Sequence, residues 1–404
     1  MNLKSRLSRL QTQTGAGQAA PVPQPPASQL RRRLETLRPE RLQAQPVADQ
    51  ATLSDALLAA TLGGEPVADG VIRVHRHIPL TGRLGTINLN ELGPDPRLPG
   101  ETGNGSLRHV YIDTETTGLS GGSGTLAFLV GIAVFGDAAI TLTQFLLTGF
   151  GGEKAMLSAF AGCLTADDRL VSYNGKSFDL PLLLTRFRMQ ALSQTLERLP
   201  HLDLLHPVRR LFGRRWNNCR LQTVERNLLG FNRVDDLPGS EAPAAWFDFL
   251  RRGQAGQLPR VVDHHRQDII SLAVAHRTLA KAVRQPDTFS VDLPALARWQ
   301  AEHDESTARK LLETHKDRLC PDGRRLLGHY CRRAGDWPHA VAIWESLAAT
   351  GCTDSLERLA KYHEHISRDL AAARKCCRGL TASADLEHRL RRIDQKIRSS
   401  DRTE

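Results

Sequence analysis

No Cys-X-X-Cys pair occurs among the 404 residues: the seven cysteines stand at positions 163, 219, 320, 331, 352, 376 and 377. An odd set without paired spacing excludes a disulfide framework and a zinc ribbon, and it fits a reducing compartment, so a cytoplasmic location is expected. Long apolar runs are missing as well. The most apolar stretch, 126–147, is broken by Asp137, Gln144 and two glycines. It reads as two strands and a turn, and no membrane-spanning helix is expected. Acidic residues are absent from the first 33 positions, which carry Lys4, Arg6, Arg9 and the run Arg31-Arg32-Arg33; this pattern suits a basic tail better than a transit peptide. Between Gln11 and Gln29 large apolar residues are scarce. That composition cannot offset ordering entropy, so disorder is expected there.

What is present is positive charge and a strand–helix alternation. Lys and Arg number 54 against 44 Asp and Glu, a formal charge of +10, which makes nucleic acid a natural partner. The length allows two domains. After the tail, over 1–50, a segment at 51–106 is expected to pack on the main domain. Within it ATLSDALLAA predicts a short helix with Ser54 as N-cap, and 71–90 alternates like edge strands. Residues 107–282 alternate strand and helix signals, the pattern of an α/β fold with a mixed sheet. The strands HVYID, AFLVGIAVF and AITLTQFLL form a meander turning at Gly136-Asp137. A helix near 153–164, a strand RLVSY and a loop NGKSFD leading into helix LPLLLTRFRMQAL follow, with helical periodicity at 221–229 and 261–280. Residues 290–395 show helices without strands. Setting Leu326, Tyr330, Asp336 and Ala340 against Leu359, His363, Asp369 and Ala373 gives an offset of 33, near the tetratricopeptide period, although two repeats suit a plain helical bundle equally well.

The chemistry-bearing string is VYIDTETTGL, in which apolar residues lead into Asp113 and Glu115. Two residues apart on a strand, the carboxylates share one face, and burying like charges so close is costly unless a cation sits between them. Oxygen donors favour Mg²⁺ or Mn²⁺, ions that hold phosphates and activate water.

DTETTGL resembles the first exonuclease motif of the DEDD superfamily, nucleases of ribonuclease H-like fold. SYNGKSFDLPLL resembles the second motif, with Asp179 at a helix start, and VVDHHRQDIISLA the third, with Asp268. The resemblance implies an α/β, ribonuclease H-like mixed sheet flanked by helices, with an all-α C-terminal region. It also implies a 3′–5′ exonuclease whose Asp113, Glu115, Asp179 and Asp268 hold two Mg²⁺ or Mn²⁺ ions. His264, four residues before Asp268, takes the place held by tyrosine in one subclass of that family, and on a helix that spacing puts both side chains on one face. An imidazole there can accept a proton from water. His265 is the weaker candidate, lying about 100° round the helix. Together with the glycine-rich run after the first motif and the helical C-terminus, the set is most similar to the YprB-type ribonuclease H-like family; it covers about 107–280.

Candidate nucleic-acid contacts are Thr116, Gly118, Leu119, Asn174, Lys176 and Arg215, with turn chemistry an equal explanation for the loops. Arg209, Arg210, Arg214, Arg215 and Trp216 suit single-strand tracking, or else a solvated helix end. Asp203 reads by resemblance as a structural polar residue. Two rivals remain: a different phosphoesterase suggested by Asp263-His264-His265, which lacks an upstream Asp-X-Asp strand, and a non-catalytic nucleic-acid-binding scaffold whose C-terminal helices recruit a protein partner. Retention of four carboxylates argues against the second.

Overall fold

Period-two apolar runs become strands of one sheet. A computed structural model of the chain describes residues 53–94, 96–101, 108–118, 124–192 and 195–400. The tail expected over 1–50 and the candidate contact Leu119 lie outside them. The strands are β1 (Glu65–Ala68), β2 (Val71–Pro79), β3 (Arg83–Leu84), β4 (Ile87–Asn88), β5 (Arg108–Thr116), β6 (Ala127–Phe135), β7 (Ala139–Leu147), β8 (Asp168–Ser172) and β9 (His201–Asp203). Seven of them form the sheet in the order β1-β2-β7-β6-β5-β8-β9, while β3 and β4 pair separately. The meander β5-β6-β7 is antiparallel, and β8 and β9 add in parallel beyond β5. This mixed sheet, helices against it and an all-helical C-terminal region are the ribonuclease H-like architecture that the motifs implied.

Helices α1 (Asp55–Leu62), α2 (Glu153–Ala161), α3 (Asp179–Met189), α4 (Thr195–Arg198), α5 (Leu205–Phe212), α6 (Leu221–Val224), α7 (Ala242–Arg252) and α8 (Leu258–Arg284) accompany the sheet, with a π-helical turn at Glu225–Leu229 after α6. Ser54 caps α1, accepting from Leu57 N at 3.3 Å. Alternation along β5 divides the core. Val110 and Ile112 pack with Met156, Leu157, Phe160 and Leu183, whereas Tyr111 packs with Val208, Ile269, Leu272 and Ala273. The face bearing Tyr111, Asp113 and Glu115 is therefore the one that α8 covers.

Residues 71–79 differ from the expected edge strand. β2 pairs with β7 along its whole length, from Val71↔Leu147 to Pro79↔Ala139, and β1 is the outermost strand instead. β1 is short, exposed and holds Pro66, features that suit an edge; its four residues carry too little periodicity to be read from sequence. Beyond α8, three helix pairs follow: α9 (Leu293–Ala301) with α10 (Glu305–Thr314), α11 (Pro321–Arg333) with α12 (Trp337–Ala349), and α13 (Thr353–His365) with α14 (Leu370–Arg378), then α15 (Ala384–Ser400). Of the pairs at the 33-residue offset, Asp336 and Asp369 both cap helices, α12 and α14, and Ala340 and Ala373 are both buried, whereas Leu326 and His363 are only partly buried where Leu359 and Tyr330 are buried.

Candidate active site

Gly131 lets α8 approach the acidic strand. It faces Asp113 across the β5–β6 register, and a Cβ there would lie 2.1 Å from Ile269 Cδ1 and 2.4 Å from His265 Cε1. His265 fills that space. Gln144 Nε2 donates to its Nδ1 at 2.9 Å, and its Nε2 stands 3.0 Å from the carbonyl of Asp113. Both contacts suit one neutral tautomer, protonated at Nε2. Burial pushes this imidazole down to about 4. His265 is thus a clamp between β5, β7 and α8, and its nitrogens are occupied.

About 100° of helix rotation separates its neighbour from that role. His264 is buried, with Nδ1 2.8 Å from Asp236 Oδ1 and Nε2 3.5 Å from Asp268 Oδ2. Donor atoms of Glu115, His264 and Asp268 all lie within 4.8 Å of one another. The spacing of four along α8 thus puts His264 and Asp268 on one face, opposite the strand carboxylate. Arg233 enters from the segment after the π-helical turn. Its guanidinium bonds Asp268, both oxygens of Glu225 at 2.7 and 2.8 Å, and Asp236 at 3.0 Å. The Ser271 hydroxyl donates to Glu225 from α8. Arg233 is held above the usual guanidinium range, because the Glu225 and Asp268 carboxylates outweigh the burial that opposes its charge.

Asp179 is the first residue of α3 and accepts from the Thr114 hydroxyl on β5. Its approach depends on Gly175, where a Cβ would fall 2.5 Å from Ser172 Oγ and 2.9 Å from Asp179 Oδ2. Asp203, at the end of β9, shapes the same loop by accepting from the backbone amides of Asn174 at 2.7 Å, Lys176 at 3.1 Å and Leu205 at 3.0 Å. Asn174 sits at φ 64°, a left-handed conformation that asparagine tolerates.

The electrostatics show what the arrangement needs. Burial, then the charges of Asp179, Asp268 and Glu115, push Asp113 well above the carboxylate range. Burial and the charges of Asp268 and Asp179 raise Glu115 to about 8. Burial raises Asp179 to about 6, although the Thr114 hydroxyl pulls the other way. For Asp236 burial is outweighed by hydrogen bonds from His264 and Arg233, so its carboxyl lies below its ordinary range. Four carboxylates whose ionised forms repel one another suit a cation, and their oxygen donors suit a hard one.

The remaining candidates are placed less centrally. Thr116 ends β5 after an irregularity in its register, and its hydroxyl donates to the carbonyl of Gly118. Lys176 is exposed beside Phe178. Arg215 lines a separate cavity of about 620 Å³ with Trp216, Asn227 and Lys281, and none of the four carboxylates lines it. Much of the basic cluster is engaged by the C-terminal helices: Arg210 pairs with Glu302 and lies over Trp299, and Arg214 is 3.6 Å from Asp322. Sequence reading did not single out Glu225, Arg233 or Asp236. The only signal was a cluster of charges in an irregular stretch.

Residues 110–279 match the RNase_H_2 family model of the RNase_H superfamily. A curated relative, an uncharacterized protein of Bacillus subtilis (strain 168) named YprB, is 34% identical over 278 residues, or 65% of this chain. The match spans 66% of that relative, just under two thirds of its length. Among solved structures, a family B DNA polymerase from the hyperthermophilic archaeon Pyrobaculum calidifontis aligns with a TM-score of 0.35 and 13% identity, covering 69% of this chain and 35% of the polymerase. The chain carries an RNase H-like domain with a cluster of acidic residues able to hold a metal ion.

Proposed function

We propose that the chain is a metal-dependent nuclease, a 3′–5′ exonuclease that hydrolyses phosphodiester bonds in single-stranded DNA or RNA. The observation that carries this reading is the grouping of Glu115, His264 and Asp268 within 4.8 Å of one another, with Asp113 near enough to feel the charges of Glu115, Asp179 and Asp268. In this reading the four carboxylates hold two Mg²⁺ or Mn²⁺ ions, which when bound supply activation of water and stabilisation of the leaving 3′ oxygen. Asp179 is oriented by Thr114, and Asp268 by Arg233. In this reading His264 Nδ1, 2.8 Å from Asp236 Oδ1, carries the ring proton, and Nε2 takes the proton of the attacking water. Thr116, Gly118, Leu119, Asn174 and Lys176 border the carboxylates in sequence and form the proposed path of the strand end, with Arg215 as a remote backbone contact. The cytoplasm is the proposed compartment, and the C-terminal, tetratricopeptide-like helices the surface for a protein partner.

Incubation of the full chain with end-labelled single-stranded RNA and DNA in Mg²⁺ or Mn²⁺ tests the reading. Wild type should shorten the strand from its 3′ end, and Asp113→Asn should reduce the rate by about a thousandfold or more, since positioned electrostatic groups carry most of such rate enhancements. Oligonucleotide binding without cleavage would favour the scaffold alternative.

A further inference from the structure

At the far end of β5 from Glu115, the seam between strand and helix holds a second polar cluster. His109 shares the strand face of Tyr111 and Asp113, and it meets His276 near the C-terminal end of α8, with ring centroids 5.0 Å apart. Glu101 joins them from the segment that precedes β5. One donor atom from each of Glu101, His109 and His276 lies within 4.8 Å of the other two. Four residues of strand separate His109 from Asp113, about 13 Å, so this cluster is distinct from the carboxylate centre.

His276 gives an independent sign of a ligand. It is fully buried, and its Nδ1 stands 3.1 Å from the Tyr111 hydroxyl. Its Nε2 makes no hydrogen bond. A buried polar atom without a partner is uncommon and demands an explanation. If Nδ1 carries the proton and donates to Tyr111, Nε2 presents a bare lone pair, the arrangement in which metal-bound histidines are held by an outer partner. Glu101 is fixed from behind as well. One oxygen accepts from Leu98 N at 2.8 Å and the other is bonded by Arg169.

We propose that Glu101, His109 and His276 form a second divalent-metal site, suited to a borderline ion such as Zn²⁺. Two imidazoles and one carboxylate are a donor set that favours Zn²⁺ over Mg²⁺, and three protein donors leave a position for water. The donors come from the segment before β5, from β5 and from α8, so the ion ties the start of the catalytic strand to the end of the catalytic helix. Arg169 and Arg277 both oppose charge on His276.

The test is competition of the full-length protein with a chromophoric chelator for Zn²⁺, with millimolar Mg²⁺ present to load the carboxylates, together with thermal melting. Wild type should bind one equivalent that His109→Gln binds at least tenfold more weakly, and Zn²⁺ should raise the wild-type melting temperature by several degrees and that of the variant by less than half as much. His276→Ala should behave like His109→Gln. Should that buried substitution prevent folding, His109→Gln, at a partly exposed position, decides the matter alone. Zinc binding that survives His109→Gln undiminished in a folded protein, or no binding by wild type at micromolar Zn²⁺, overturns the proposal.

Discussion

Asp236 Oδ1 stands 2.8 Å from His264 Nδ1, joining the long helix α8 to an irregular segment that no sequence motif marks. The contact fixes which nitrogen of the ring faces Asp268 and Glu115. In the proposed reaction that orientation is what makes His264 an acceptor of the water proton, so Asp236 is a positioning residue. Asp236→Ala should lower kcat about 10- to 100-fold, the usual effect of losing an outer partner, while Asp236→Asn, whose amide oxygen still accepts from Nδ1, should retain more activity. Single-turnover cleavage of labelled oligonucleotide measures both, and equal rates for the two variants would remove the orienting role.

The raised carboxyls give the metal-free protein a pH dependence of definite sign. Glu115 goes from its ordinary 4.5 to about 8 in the fold, so the folded state holds a proton that the unfolded state releases. Its contribution to stability is full below about 4.5 and disappears as pH rises through 8. His265 acts oppositely, being lowered from 6.5 to about 4. Its contribution is complete above 6.5 and is lost only as pH falls toward 4. Between pH 6.5 and 8.5 the metal-free melting temperature should therefore fall, and Glu115→Gln should flatten the slope. Mn²⁺ should raise the melting temperature most at the upper end of this range, where the carboxylates are ionised; melts by circular dichroism in chelator and in Mn²⁺ check each point.

Gly131→Ala should destabilise the protein by about 1–3 kcal/mol, as overpacking in a filled core does. The added methyl cannot be accommodated by rotating a surface chain, because both obstructing groups, Ile269 and His265, are themselves fully buried. Since the shift would part α8 from β5, activity should fall with stability; an urea titration and an assay on the same preparation measure the two together.

A fragment limited to residues 107–282 should aggregate. It would remove β2, whose nine residues pair with β7 from end to end, and leave an apolar strand as an open edge. A fragment beginning at Leu53 should stay monomeric, as judged by light scattering.

Much of the acidic cluster was legible because its signals are local. The two-residue spacing of Asp113 and Glu115, the helix start at Asp179 and the four-residue spacing of His264 and Asp268 are periodicities of single elements. The partners of those residues were not legible, since Glu225, Arg233 and Asp236 meet α8 only through the path of an irregular segment. The same reason hides β1, which is too short to show a period, and misplaced β2, whose interior position depends on a partner nearly seventy residues away. The arginines at 210 and 214 read equally as a surface for single strands or a solvated helix end, and their carboxylate partners lie about a hundred residues later.

Asp203 holds the NGK loop by its backbone amides and not by its side chains. The shape of the loop is thereby decoupled from what Lys176 displays, so that position can drift to another residue without loosening Asp179. Asn174 is less free, because its positive φ admits few replacements. Divergence among proteins that share this scaffold should thus accumulate at 176 before 174, which would let substrate preference evolve beside an unchanged acidic centre.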